Sequence, residues 1–487
     1  MASTTIVQAE KGGAAAAVPP ATTQEATTRS SSITKEDLAI SQHEDASLEH
    51  ASPEDPAFRK AELKVVTKLD LYVCPILIFN TAVSIFYPLY ILAEFPAALI
   101  VKRLGFNRVI PTAALCWGIV CLGNGFVQNF SGLAACRVLL GGFEGFLFPS
   151  LTLMLANYYK RDEIGLRISY LFIAAAMASA FGGLIASGIL YMDGVAGYPG
   201  WRWLYIIEGA ATIAIALACY FAIPSSYTTA WFLTDADKAI MRRRTEITEA
   251  YSGGDGVYTK ADLAMAIRDP KTYLHGVVQI MCLTVLYGFS VFLPIILRFG
   301  FGMTVKESQY LSIPVFFWGS AVYGVVAWGS DRMGRRFLAC VAMVPLGVVG
   351  YAILLGGGDG RIAVGVKYFA CFLIASCAWA LGGGNLSWLS TNTAPDGKRA
   401  ASIGLALSMG NIGGIVSGQI YPQTMAPNYY LGHAWSLGAV CISLVLWQVL
   451  RQLYYRREAG KEVLRQDGSA EATVDRSDCG VGYVYQH

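Results

Sequence analysis

Gly329-Ser330-Asp331-Arg332-Met333-Gly334-Arg335-Arg336 lies between two long apolar runs. The stretch therefore reads as a tight turn joining two membrane spans. Each basic side chain would cost roughly 2.5–3.5 kcal/mol at the bilayer centre, so the turn is pinned to a water-facing surface, and positive charge selects the cytoplasmic one. Asp331 can pair with one of the arginines or cap the following helix, and Gly334 allows the sharp reversal. A looser copy, Lys102-Arg103-Leu104-Gly105-Phe106-Asn107-Arg108, stands about half a chain earlier. Two related turns imply two related halves.

The rest of the chain fits that setting. Hydrophobic residues make up 54% of the 487 and charged residues 15%, unlike a soluble domain. Ten apolar runs of span length are expected near 109–127, 133–156, 168–191, 203–223, 273–297, 310–329, 338–356, 364–389, 400–421 and 433–452. Lys160, Arg161, Arg242, Arg243, Arg244, Arg335, Lys398 and Arg399 fall in alternate loops, while the loops near 128–132 and 422–432 hold no Lys or Arg. That asymmetry assigns the first set to the cytoplasm. No basic face remains for nucleic acid. The 11 cysteines lie almost all in apolar runs without metal-ligand spacing. No cofactor is expected, and no catalytic constellation appears.

The expected organisation is a disordered tail over 1–57, an N-terminal helical bundle over 58–223, a cytoplasmic linker over 224–272, a C-terminal bundle over 273–453 and a tail over 454–487. Leu71 to Val101 is one apolar run of about 31 residues broken by Pro75, Pro88 and Pro96. At ~1.5 Å per residue it is too short for two crossings. Yet both of its ends are basic and belong on one side.

The Asp-Arg-x-Gly-Arg-Arg turn resembles the signature loop of the major facilitator superfamily. Tyr90-Ile-Leu-Ala-Glu-Phe-Pro through Gly105, the run Arg137-Val-Leu-Leu-Gly-Gly-Phe-Glu144-Gly-Phe-Leu-Phe-Pro149, and Trp201-Arg202-Trp203 with Glu208 resemble its fungal anion:cation symporter branch, the allantoate and nicotinate permease-like proteins. The resemblance covers roughly residues 64–455. It implies an all-α polytopic fold of two bundles, with alternating access between them. It also implies a missing piece: about one span's worth of residues is absent between Asn80 and Thr81, leaving about 11 spans instead of 12.

Arg137 and Glu144 are the sharpest pair of candidate residues. They lie seven apart in one apolar run, hence on nearly the same helical face. Ionisable groups inside a span face a cavity or a partner. Arg137 reads as an anion contact and Glu144 as a proton-coupling group; a structural salt bridge is the competing reading. Tyr287, Asn385 and Trp388 are further candidates for substrate binding, against plain helix–helix hydrogen bonding. Glu94 reads as a brace for the nearby turn, and His275 and His433 as interfacial residues. Gly410, Gly413, Gly414 and Gly418 form a packing face. Asp331, Arg332, Gly334, Arg335 and Arg336 form the conformational loop, and Asn129 heads a glycosylation sequon in an outward loop.

The leading function is proton-coupled uptake of a small organic anion by a monomer in the plasma membrane, with membrane lipid its other partner. Export of a fungal secondary metabolite is the alternative. It is weakened because Ala178-Ser179-Ala180-Phe181-Gly182-Gly183 lacks the proline of efflux antiporters. A transport-defective or receptor-like relative is the third reading.

Overall fold

The computed structural model describes residues 85–159, 163–252, 259–357, 362–422, 425–466, 478 and 483–485. The expectations for the tail over 1–57, the junction at Asn80, and Lys160 and Arg161 lie outside these residues.

The described residues are helical, with no strand among them. The N-terminal bundle holds α1 (Tyr87–Leu104), α2 (Phe106–Asn124), α3 (Phe130–Glu144), α4 (Leu147–Tyr158), α5 (Ile164–Ile189) and α6 (Gly200–Ala222). Then come α7 (Asp235–Ser252) and α8 (Lys260–Arg268). The C-terminal bundle holds α9 (Pro270–Ile295), α10 (Val305–Met333), α11 (Arg336–Ala342), α12 (Val344–Gly356), α13 (Val364–Thr391), α14 (Asp396–Ile420) and α15 (Tyr430–Gln466). Helices α3 and α4 together make one span, as do α11 and α12. Ten segments among the described residues are long and apolar enough to cross a membrane, and α1 adds a shorter apolar helix. The protein is an integral, multi-pass membrane protein.

Small residues set the helix spacing. A Cβ on Gly209 of α6 would stand 2.5 Å from the Leu122 backbone nitrogen of α2, so only glycine permits that crossing. Gly141 on α3 and Gly145 just after it lie directly under the backbone at Phe86, which precedes α1, and at Tyr90 of α1. Two helix pairs carry most of the contact between the bundles, α1 with α14 and α5 with α10, and α5 also meets α13.

The Gly329–Arg336 turn sits at the foot of the second pair. Gly334 ends α10 in the left-handed region at φ 65°. Asp331 pairs with Arg336 and accepts a 2.6 Å hydrogen bond from the Leu166 N–H in the first turn of α5. Its carboxylate thus caps a helix of the opposite bundle. Arg332 lies over the Trp328 ring at 5.5 Å, and Arg335 is exposed.

C-terminal residues 478 and 483–485 pack against one end of the C-terminal bundle. Asp478 is buried between Lys271 of α9 and Lys398 of α14, the latter at 2.6 Å. Lys461 of α15 donates to the carbonyls of Asp478 and Tyr483 at 2.7 and 2.8 Å. The Tyr483 hydroxyl donates to Thr391 O at 2.8 Å. Asp269, at the start of α9, meets Lys398 at 2.7 Å and Arg457 at 2.8 Å. Burial opposes its charge, but Lys271, Arg457 and Lys398 outweigh that and hold its carboxyl well below the ordinary carboxylate range.

Candidate substrate cavity

Between the bundles, at mid-span, lies a cavity of about 330 Å³. That volume suits a small molecule. Helix α1 supplies Tyr87, Tyr90 and Glu94, and α2 supplies Trp117. Glu144 stands where α3 gives way to α4, with Phe148 one turn on. Phe172 and Ser179 come from α5, Tyr287 and Ser290 from α9, Trp379 from α13 and Asn411 from α14. The wall is mostly aromatic, and Tyr87 meets Tyr287 across the bundle boundary with ring centroids 5.8 Å apart. Its two carboxylates are Glu94 and Glu144; no Lys, Arg or His is among the described lining residues.

The break between α3 and α4 explains the exposure of Glu144 to the cavity. Gly145 follows it at the helix end, and α4 restarts at Leu147. Seven residues earlier, Arg137 is 3% exposed and outside the cavity lining. Its Nη2 donates to the Tyr205 hydroxyl at 2.9 Å, while Nε and Nη1 have no hydrogen-bond partner. Arg137 and Glu144 make no salt bridge with each other among the described residues. Leu140, between them, packs in one cluster with Phe86, Tyr87, Tyr90 and Tyr205. The arginine therefore sits behind the aromatic wall of the cavity.

The sequence candidates separate into two groups. Tyr287 lines the cavity with Glu144. Asn385 and Trp388 stand inside the C-terminal bundle instead. Asn385 Nδ2 donates to Gln279 Oε1 at 2.7 Å, and its Oδ1 accepts from Trp447 Nε1 at 3.1 Å and meets His275 Nδ1 at 2.9 Å. Trp388 is fully buried against His275, Phe337 and Tyr454. His275 is buried in that network rather than interfacial, with Nε2 3.0 Å from the Tyr454 hydroxyl. Asn129 caps α3, accepting from Gly132 N at 2.8 Å, and is exposed.

Glu94 differs most from its expected place. It does not brace the turn below it. It is fully buried at the cavity wall, and both its oxygens accept from Asn411 Nδ2 at 2.9 and 2.8 Å. Reading α1 alone missed this, because Asn411 lies 317 residues further on.

Residues 75–418 match the Major Facilitator Superfamily family. The chain belongs to that superfamily. It is 38% identical over 405 residues to an uncharacterized transporter of Schizosaccharomyces pombe, covering 82% of this chain and 78% of that protein. It is 29% identical to the high-affinity nicotinic acid transporter of Saccharomyces cerevisiae, over 79% of this chain and 70% of the relative. An MFS-type transporter of Penicillium expansum, cnsO, is 30% identical over 82% of this chain and 77% of its own length. Among solved structures, the proton:xylose symporter XylE superposes with a TM-score of 0.57 at 14% identity, covering 77% of this chain and 86% of that one. Superfamily membership makes the protein a membrane transporter and not an enzyme, and the structural likeness shows the fold.

Proposed function

We propose that this transporter moves a small aromatic carboxylate together with a proton, by alternating access between its two bundles. The observation that carries the reading is Arg137. It is a buried guanidinium whose Nε and Nη1 have no hydrogen-bond partner, on the same helix as a carboxylate that faces the cavity. A guanidinium fork offsets the desolvation of a carboxylate by bidentate hydrogen bonds. Glu144, about two helical turns on from Arg137 and at the cavity, is the group this reading assigns to proton coupling, which links loading to the proton gradient. The aromatic wall suits a ring. Similarity to a nicotinic acid transporter supports the same substrate class. Action as a monomer in the plasma membrane belongs to this proposal.

The test is uptake of radiolabelled nicotinate into proteoliposomes under an imposed proton gradient. Arg137→Lys should raise KM at least roughly tenfold, because a point charge replaces the fork. Glu144→Gln should retain nicotinate exchange but lose gradient-driven accumulation. Uptake indifferent to the gradient in the unaltered protein would overturn the coupling, and an unchanged KM in Arg137→Ala would overturn the anion site.

A further inference from the structure

We propose that Glu94, Asn411 and Tyr287 form a reversible hydrogen-bond relay that exposes the Tyr287 hydroxyl proton to the cavity only when Glu94 is protonated. The relay rests on the proton-coupled carboxylate reading above and adds to it a second, separate proton site.

The three groups come from three helices and both bundles. Tyr287 of α9 donates its hydroxyl to Asn411 Oδ1 at 2.7 Å. Asn411 of α14 turns its Nδ2 to both Glu94 oxygens. That same Nδ2 lies 3.1 Å from Leu407 O of its own helix. Glycines hold α14 close to α1 on either side of Asn411. Gly404 faces Ala98, with room for no more than a tight Cβ at 3.0 Å, and Gly414 lies against the Tyr87 ring. Glu94 and Tyr287 both line the cavity.

The direction of the chain follows from its donors. An ionised carboxylate only accepts, so it draws the amide NH2. The amide oxygen then faces Tyr287 and takes its O–H. In this state the tyrosine offers the cavity only lone pairs, which repel a carboxylate. A proton entering from the cavity onto Glu94 makes that residue a donor. The amide turns over, its oxygen accepts from Glu94, and its nitrogen donates to the Tyr287 oxygen. Amide oxygen and nitrogen are nearly the same size, so the two exchange places within the same space, and Nδ2 gives up its hydrogen bond to Leu407 O. The Tyr287 O–H is released to bind an anion. One proton is taken up and stays on Glu94 while the anion is held.

Proton and anion therefore strengthen each other's binding through two sites, and the effect is reciprocal. The titratable groups facing Glu94 are Tyr87 and Tyr90 on its own helix, Glu144 from the end of α3 and Tyr287 from α9. The described lining residues of α2, α4, α5, α13 and α14 bring none.

The test measures radiolabelled nicotinate binding to the full-length protein in proteoliposomes, from mildly alkaline to mildly acidic pH. Affinity should rise as pH falls, by up to roughly tenfold per pH unit for one linked proton. Glu94→Gln has no titrating proton and carries an NH2 that can donate to Asn411 at every pH, so it should lose the pH slope that Glu94 contributes. Tyr287→Phe should lose roughly tenfold at acidic pH. Adding Glu94→Gln to Tyr287→Phe should change nothing further. A pH slope unchanged in Glu94→Gln, or acidic affinity unchanged in Tyr287→Phe, overturns the relay. Infrared difference spectra over the same pH range need no substrate. A protonated-carboxyl C=O band should grow in the unaltered protein, lose its Glu94 component in Glu94→Gln, with any Glu144 component remaining, and shift in Tyr287→Phe. If nicotinate fails to bind but the band behaves so, the carboxylate reading fails and the relay stands. If the band in Glu94→Gln is as large as in the unaltered protein, the relay fails on its own.

Discussion

Gly413 meets α9 through bare backbone. A Cβ there would stand 2.6 Å from Ile280 O and 2.7 Å from Thr284 N, so no side-chain rotation can relieve it. Gly414, the next residue, faces α1 instead, against the Tyr87 ring. One short stretch thus sets the spacing of a helix to its own bundle and to the other. Gly413→Val should destabilise the protein by about 1–3 kcal/mol or more through overpacking. Differential scanning fluorimetry in detergent should show the midpoint fall, whereas Gly438→Ala, with nothing near its Cβ, should leave it in place. The glycine spacing was legible in the sequence as a packing face. Its two separate partners were not, because spacing along one helix carries no record of what faces it.

At the scale of elements, the Arg-rich turn and the end of the chain act alike: each places a carboxylate against another segment's donors. Asp331 holds the first turn of α5 and also Arg336. Asp331→Asn keeps the shape and removes the charge. It should loosen the α5–α10 foot, and a cysteine at Arg335 or Glu163 should then react faster with a membrane-impermeant maleimide added from the cytoplasmic side. An unchanged rate would count against a holding role.

Asp478→Ala should cost stability at the low end of about 3–5 kcal/mol for a broken buried pair, because Asp269 remains beside Lys398. Limited proteolysis of the tail reads its release. The pH response of this cluster has a definite sign. The folded pKa of Asp269 lies below its unfolded value, so its contribution is full above the unfolded value of roughly 3.9 and is lost as pH falls through the folded one. Melting midpoints should stay level from neutral pH to about pH 5 and drop below about pH 4. Hydropathy and the basic turns made the spans readable, since lipid tolerates few alternatives. The tail's docking was not readable: Asp478, Tyr483 and Tyr485 show no period, and their partners lie on four different stretches of chain.

For the whole molecule, one topology underlies the site. Arg244 of α7 pairs with Glu163, next to the first turn of α5 that Asp331 holds, so α7 and the Arg332 turn lie at one end of the molecule. Single-cysteine labelling of intact cells should leave Lys238 and Arg332 positions both unreactive from outside, and reactivity at either would break the two-bundle arrangement. Sequence reasoning reached the fold, the cavity glutamate and Tyr287 through the rarity of polar groups in apolar runs. It misplaced Glu94 because ionisable groups near a basic turn and those near a cavity look the same along one helix. It drew Asn385 toward substrate because a buried amide serving Gln279, His275 and Trp447 has the same sequence signature as one awaiting a ligand.

The docked end of the chain touches α9, α13, α14 and α15 and so travels with one half of the molecule. It is a natural pointer. A fluorophore at Tyr483 paired with one at Leu104, on the opposite half, would turn each transport cycle into a distance signal, readable without knowing what is carried.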